Sequence, residues 1–246
     1  MIKIEHDQDF TIITAAVTDF AESLGYCQYK IPLSIKGLKP EPSQALLEGT
    51  HAHHEEEVFE QEHAELEPVS MEQIHDPQED IEFARENIYS RFLQKIDFAS
   101  ERVFLLLSGR VDKIMRQGQT LIVQDDKFVS KPQIYDKRDQ PYVNHMLQVM
   151  TYLNSRYGMT NSSNPDDWFD MPHLDKQWKI RICDRKTREP YKIFSEKIDP
   201  VSDRLFNESV KIFVGIVLGI TDPVHHNSKR KCDACSLKNL CEFRIL

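Results

Sequence analysis

A group of acidic residues and one lysine lies in the middle of the chain, between positions 105 and 152. Asp112 closes one predicted strand, and Asp125, Asp126 and Lys127 lie together in the next. Because side chains alternate between the two faces of a strand, Asp125 and Lys127 should share a face that Asp126 does not. Two carboxylates on paired strands, with a lysine beside one of them, indicate metal-dependent phosphodiester hydrolysis.

Each of these side chains has a chemical role available to it. Asp112 and Asp125 offer the hard oxygen ligands that Mg²⁺ and Mn²⁺ prefer. Lys127 can position or help to deprotonate a water molecule and can stabilise developing negative charge. Gln148 and Tyr152 lie one turn apart on a predicted helix, where they can orient Lys127 or contact DNA phosphates. The alternative is that the aspartates are ordinary strand-end carboxylates and that the helix pair serves packing.

Five cysteines provide a second candidate centre. Their odd number, together with an N-terminus that lacks a secretion signal, argues against a disulfide framework. Cys232, Cys235 and Cys241 have the spacing of metal ligands, and thiolates support either zinc or an iron–sulfur centre. Cys183 falls in a strand pattern, which predicts a buried thiol.

These residues must be positioned by strands, turns and helices. The hydrophobic pattern predicts where these elements begin and end. The centre of the prediction is a hairpin of two strands joined by a turn at 115–119, in which Gly118 tolerates a positive φ. The strands are predicted at 1–15 (weakly), 104–114, 120–128, 178–183 and 191–197. The helices are predicted from about Asp19 and at 43–67, 79–98, 142–157 and 202–218, and a loop is predicted at 31–42.

The length of 246 residues, with 40% hydrophobic and 29% charged residues, suits one intracellular domain, cytoplasmic or nucleoid-associated, without a membrane span. The net charge of −9 is uneven. Residues 41–86 contain 15 acidic residues and one basic residue, Arg85, so the remaining 25 acidic and 30 basic residues leave a positive balance. A DNA-binding face is compatible with this remainder.

These motifs, in this order, resemble the RecB-type branch of the PD-(D/E)XK nucleases. The resemblance is greatest to the iron–sulfur members, the CRISPR-associated Cas four exonucleases and the exonuclease V family. The resemblance spans Cys27 to Cys241 and rests on five motifs. These are Gly49 four residues before His53, Gly109–Asp112, Asp125–Lys127, Gln148–Tyr152, and Cys27 with the terminal cysteine trio. The chain departs from the family in having Gln28-Tyr29 after the first cysteine, and Asp125 where glutamate is frequent.

The resemblance implies an α/β fold with a restriction-endonuclease-like core, a mixed sheet flanked by helices. The implied layout is a single domain with a helical acidic region at 43–98, a catalytic core at 104–157, and an iron–sulfur module formed by Cys27 and residues 229–246. The implied metal ligands are His53, Asp112, Asp125 and the main-chain carbonyl of Asp126, although His53 also lies in a histidine-rich stretch where it could be an ordinary polar helix residue.

The implied cofactors are Mg²⁺ or Mn²⁺ and a 4Fe–4S cluster bound by Cys27, Cys232, Cys235 and Cys241. The implied activity is exonucleolytic cleavage of single-stranded DNA ends in CRISPR spacer acquisition or DNA repair. CRISPR integrase or repair proteins are the corresponding partners. An inactive nuclease fold kept for DNA or protein binding is the alternative.

Overall fold

A computed structural model describes residues 1–38, 83–98, 101–171 and 175–245. Within these ranges the strands are β1 Lys3–His6, β2 Thr11–Ala16, β3 Phe83–Phe98, β4 Glu101–Gln117, β5 Thr120–Val129, β6 Arg156–Gly158, β7 Asp175–Asp184 and β8 Pro190–Lys197. The α-helices are α1 Val17–Gly25, α2 Lys30–Ile35, α3 Val143–Leu153, α4 Pro200–Val217 and α5 Lys229–Ala234. Short 3₁₀ turns occur at Pro132–Tyr135 and Pro165–Asp167. None of the described helices combines the length and hydropathy needed to cross a membrane.

The strands form one mixed sheet in the order β1-β2-β4-β5-β7-β8, with β3 paired to β4 and β6. The β2–β4 and β5–β7 pairs are parallel, and the others are antiparallel. Strand β4 changes partner along its length, because it pairs with β2 as far as Ser108 and with β5 only from Lys113 onwards. The sheet therefore forks between these two residues, and the fork leaves main-chain groups of β4 open to other partners.

The alternation of buried side chains along β4 also changes at this fork. Val111 and Ile114 belong to the same buried cluster although they are three residues apart. Strict alternation would place them on opposite faces, so the phase shifts by one residue between them. Opposite this point on β3, Asn87 adopts a φ of +53°, a conformation that asparagine tolerates better than most residues. The irregularity directs the side chain of Asp112 towards the helix-covered face.

The core forms where helices α1, α3 and α4 cover the sheet. Phe20 of α1 makes edge-to-face contacts with Phe206 and Phe213 of α4, and Phe206 also contacts Phe92 of the sheet. Helix α4 starts sharply because Asp199 and Ser202 form a reciprocal capping box. Helix α3 packs against α1 and lies over β5 and β7.

The predicted α/β class, a mixed sheet flanked by helices, is confirmed. The central hairpin, the strands after residue 175 and the helices corresponding to α1, α3 and α4 are also found, with small differences at their ends.

Two predicted elements are wrong. Residues 83–98 of the predicted acidic helical region are strand β3, since the four-residue spacing of Ile88, Phe92 and Ile96 also satisfies the two-residue period of a strand. Part of the predicted loop at 31–42 is helix α2, because Pro32 lies in its first turn, where proline is tolerated. The predicted helix at 43–67 lies outside the described residues.

Gly25 allows α1 to approach α3 closely, which gives a test of this packing. A Cβ atom at Gly25 would lie 2.3 Å from the main-chain nitrogen of Asn144 and 2.5 Å from its Cα. Main-chain atoms cannot turn aside, so Gly25→Ala should lower the free energy of unfolding by about 1–3 kcal/mol in denaturant titrations. Gly37→Ala is the control, since its Cβ would meet nothing within 4 Å and only its positive φ is strained. Equal losses in the two variants would contradict this account.

Candidate active site and cysteine-rich centre

Asp112 connects the two strands where they separate. Its Oδ2 accepts a hydrogen bond of 2.7 Å from the main-chain amide of Asp126. The last β4–β5 pair is Lys113 with Gln124, so the register places Asp112 opposite Asp125. The Asp112 side chain thus takes the role that a main-chain carbonyl would have in a continuous ladder.

Lys127 is held by two partners on the same face. Its Nζ lies 2.7 Å from Asp125 Oδ2 and donates to Gln148 Oε1 at 3.0 Å. Gln148 Nε2 in turn donates to Asp125 Oδ1 at 3.0 Å and to the Tyr152 hydroxyl at 3.2 Å. The amide of Gln148 therefore connects the carboxylate, the ammonium group and the phenol in one hydrogen-bonded network.

Gly109 makes room for this network. A Cβ atom at this position would lie 2.8 Å from Tyr152 Cε1 and 3.0 Å from Val17 Cγ2. Only a residue without a side chain lets the Tyr152 ring cross β4 here. The glycine at the start of the Gly109–Asp112 motif is thus explained by a residue on a different element, 43 positions later.

Asp126 points to the other face of β5. Its carboxylate pairs with the guanidinium group of Arg181, with a 2.7 Å bond from Arg181 Nε and a second, shorter bond from Nη2. Gln124 Nε2 adds a 3.2 Å bond to the same carboxylate. The Asp126 side chain is therefore held by Arg181 of β7, and only the main chain of Asp126 faces Asp112.

The charges in the site are incompletely balanced. Burial, followed by the negative charge of Asp125, raises the pKa of Asp112 to about 7. Burial alone would lower the pKa of Lys127, but the carboxylates of Asp125 and Asp112 outweigh it and raise that pKa above its ordinary value. A lysine held protonated by two carboxylates still leaves one of them costly to ionise, and a bound cation would remove that cost.

His145 was not identified from the sequence, although it lies three residues before Gln148 on α3. Burial, with added repulsion from Lys127 and Arg138, lowers its pKa to about 3, so its ring is neutral. Arg138 stacks 3.9 Å above the ring of Tyr142, at the start of the same helix. The histidine signal was missed because no spacing rule relates a helix residue to a lysine on a neighbouring strand.

The loop before α3 is ordered by a lysine from the far strand. Lys192 Nζ donates to three main-chain carbonyls, those of Tyr135 at 2.8 Å, Asp136 at 3.2 Å and Arg138 at 2.7 Å. Tyr135 also packs against Tyr142 and Phe194. This arrangement presents Arg138 beside the site on a well-supported turn.

The four cysteines Cys27, Cys232, Cys235 and Cys241 converge at the other end of α1. Burial raises the pKa of Cys27, and the negative charges of Cys235, Cys241 and Cys232 raise it further. Burial, followed by the charges of Cys235, Cys232 and Cys27, raises the pKa of Tyr26 to about 12. Several thiols gathered in one place can share a cationic centre, so the donor set fits a polythiolate metal site.

Two histidines accompany these cysteines and were also missed. Ligand atoms of Cys27, His225 and His226 lie within 4.8 Å of one another and could hold a metal ion. The neighbourhood is further fixed by contacts between the two ends of the chain. Tyr26 donates from its hydroxyl to the Lys231 carbonyl at 2.6 Å, and the ring of Tyr29 lies 4.0 Å from that of Phe243.

The structure thus brings together five of the predicted nuclease residues, Asp112, Asp125, Lys127, Gln148 and Tyr152. It separates the Asp126 side chain from them. His53 and Gly49 lie outside the described residues. Cys183 is buried against Phe128, as predicted for a cysteine with no ligand role.

No family model and no curated protein matches this chain. Among solved structures, SSO0001 is 15% identical to this chain with a TM-score of 0.47. The match covers 99% of this chain and 91% of the SSO0001 chain. A candidate exonuclease from Eubacterium rectale is 11% identical with a TM-score of 0.44 (94% and 88% covered). LHK-Exo, solved in complex with dAMP, is 11% identical with a TM-score of 0.38 (84% and 87% covered). At this level of similarity, the chemistry has to be derived from the chain's own side chains.

The raised pKa of Asp112 gives a testable pH dependence in metal-free protein. A folded-state pKa of about 7, against about 3.9 when unfolded, means that the folded state binds more protons between these values. Below about pH 4 Asp112 is protonated in both the folded and the unfolded state, so its ionisation costs no folding stability. Above about pH 7 the full cost to folding stability is present. Asp112→Asn should therefore gain stability relative to wild type as the pH rises from 4 to 8, measured by thermal unfolding in chelator.

The comparison is made between variant and wild type because His145 acts with the opposite sign. Its lowered pKa causes stability to fall as the pH drops below about 6.5, equally in both proteins. Asp175→Asn, which removes an exposed carboxylate 3.7 Å from Lys197, is the control and should keep the wild-type profile. A pH-independent difference between Asp112→Asn and wild type would contradict the assignment.

Proposed function

We propose that this chain is a metal-dependent deoxyribonuclease that degrades single-stranded DNA from its ends. The observation that supports this most directly is the network at the sheet fork. Two carboxylates face each other there, and a lysine shares its face with one of them and is held by a glutamine and a tyrosine from the overlying helix. This combination provides both ligands for a cation and a fixed positive charge.

Asp112 and Asp125 would hold a divalent cation, with the Asp126 carbonyl and His53 completing its protein ligands. The residues fit such an ion, because their oxygens are hard ligands and because burial, followed by the negative charge of Asp125, raises the pKa of Asp112. When bound, Mg²⁺ or Mn²⁺ would neutralise the scissile phosphate and make water a better nucleophile.

Lys127 supplies electrostatic stabilisation rather than general base catalysis. In the metal-free site its pKa lies above the ordinary lysine value, and a protonated ammonium group can donate to a phosphate oxygen that gains negative charge. Gln148 fixes the geometry of the ion pair between Lys127 and Asp125, since it accepts from Lys127 while donating to Asp125. The Lys127 ammonium group, which only donates, and the Asp125 carboxylate, which only accepts, fix the amide orientation of Gln148. The Tyr152 hydroxyl accepts a further hydrogen bond from the same amide.

The turn before α3 provides a surface for the DNA strand. The guanidinium group of Arg138 can bind a phosphate, and Tyr142 beneath it adds an aromatic surface next to the same path. Lys131 and Lys137 add positive charge to this turn. A groove of cations and aromatic rings binds single strands without sequence preference, because every base presents a face that can stack.

The cysteine-rich centre is proposed to be a 4Fe–4S cluster bound by Cys27, Cys232, Cys235 and Cys241. It would act structurally, joining the N-terminal helices to the C-terminal segment behind the nuclease core. The biological setting proposed is CRISPR spacer acquisition or DNA repair, with integrase or repair proteins as partners.

The nuclease proposal is tested with end-labelled single-stranded and duplex DNA in Mn²⁺ or Mg²⁺. Asp125→Asn and Lys127→Met should each reduce the cleavage rate by at least about 10²-fold, since they remove a cation ligand and the fixed charge. Chelator should stop the wild-type reaction. Wild-type rates in both variants would exclude this site.

Asp126→Asn is the matched control. It retains the main-chain carbonyl and removes only the carboxylate paired with Arg181, so it should lose stability but keep activity within about tenfold of wild type. DNA binding without cleavage in the wild-type protein would favour the alternative of an inactive binding module.

The cluster is tested by metal analysis of anaerobically purified protein. About four irons per chain and broad absorption near ~400 nm are expected. Cys27→Ser should lose iron as completely as Cys235→Ser and should expose the C-terminal segment to protease, because these residues join the two ends of the chain. Cys183→Ser, which changes a buried thiol against Phe128, should retain iron. Stoichiometric zinc without iron would overturn the cluster assignment.

A further inference from the structure

The sulfur of Cys232 contacts two histidine rings. Its Sγ lies 3.7 Å from His225 Nε2 and 3.9 Å from His226 Nε2. Both histidines stand outside the four-cysteine pattern, and the proposed nuclease chemistry does not use them. Two imidazole nitrogens directed at one sulfur need an explanation of their own.

The main chain determines which nitrogen of each ring carries the proton. The amide of Asn227 donates to His225 Nδ1 at 3.1 Å, and the amide of Ser228 donates to His226 Nδ1 at 3.0 Å. Because a main-chain amide can only donate, each Nδ1 must offer a lone pair, and the proton must lie on Nε2. A longer 3.4 Å contact between His225 Nδ1 and Asn227 Oδ1 agrees with this tautomer once the side-chain oxygen and nitrogen of Asn227 are exchanged.

A tight turn holds both rings in this orientation. Asn227 adopts a φ of +50°, and Ser228 then caps α5, the helix that carries Cys232. The two imidazoles lie 4.4 Å apart, between Tyr29 on one side and Tyr26 on the other. The aromatic surroundings reduce competition from water, which strengthens a weak hydrogen bond to sulfur.

Direct metal ligation by these histidines is the competing interpretation. Cys27 and the two rings are close enough to hold an ion. Ligation through Nε2 would, however, require the lone pair on Nε2 and the proton on Nδ1, and Nδ1 already accepts from the main chain. The tautomer therefore favours donation to sulfur over coordination.

We infer that His225 and His226 donate two N–H···S hydrogen bonds to the Cys232 sulfur and thereby raise the reduction potential of the centre it binds. This inference rests on the proposed 4Fe–4S cluster. Hydrogen bonds to a ligating thiolate withdraw negative charge, so they stabilise the reduced, more negative cluster relative to the oxidised one. The two histidines are positioning residues that act through Cys232.

The experiment uses the full chain, purified anaerobically, with iron content measured first. His225→Phe and His226→Phe keep a planar ring but remove the N–H donor, while His226→Gln restores a donor. Each sample is titrated with dithionite, which supplies the electron for reduction of the cluster from the 2+ to the 1+ state. His6→Phe, on the distant strand β1, is the control.

Each Phe variant should retain iron and show a ratio of reduced to oxidised cluster about tenfold lower at a given potential, equal to a shift of about 59 mV for one electron. His226→Gln should recover part of the shift, and His6→Phe should match wild type. Iron-loaded Phe variants with an unchanged potential would overturn the inference. Loss of iron from folded Phe variants would identify the histidines as ligands and overturn it as well. Wild-type protein without iron would instead reject the proposed cluster, and the inference with it.

Discussion

The hydrogen bond from the Asp126 amide to the Asp112 carboxylate is the contact on which the rest of the candidate site depends. At this point β4 has left β2 and has not yet joined β5 in a regular ladder. A side chain completes the pairing of the main chain, so the carboxylate is fixed in place and partly desolvated. The fork also places Asp112 opposite Asp125, where the two carboxylates lie beside Lys127.

The structure balances charge around this contact with few groups. Lys127 offsets most of the negative charge of Asp125, and Gln148 bonds to both groups and so fixes the geometry of their ion pair. Arg181 pairs with Asp126 on the opposite face, and that carboxylate raises the pKa of Asp112 less than burial or the charge of Asp125 does. Burial, together with this negative charge, raises the pKa of Asp112, which is the physical reason to expect a cation.

The cysteine-rich end follows a different principle. Its two chain segments are already joined by ordinary contacts, such as Tyr26 with Lys231 and Gln28, which accepts from the Val224 amide at 2.7 Å. These contacts orient thiols that repel one another when ionised. Protein packing thus brings the thiols into position, and the free energy of metal binding would offset the cost of holding them there.

The sequence by itself determined the local features of this protein. Strand alternation was enough to separate Asp125 and Lys127 from Asp126, and helical spacing was enough to align Gln148 with Tyr152, because both depend only on near neighbours. Tertiary structure decided the rest. The strand at 83–98 was mistaken for a helix because the spacing of its hydrophobic residues fits both the helical and the strand period. Only pairing with β4, which supplies the hydrogen-bond partners, decides for the strand. Contacts between residues distant in sequence explain why position 109 is glycine and why the ring of His145 is neutral. The geometry of one turn places His225 and His226 beside Cys232. No spacing rule encodes either kind of information.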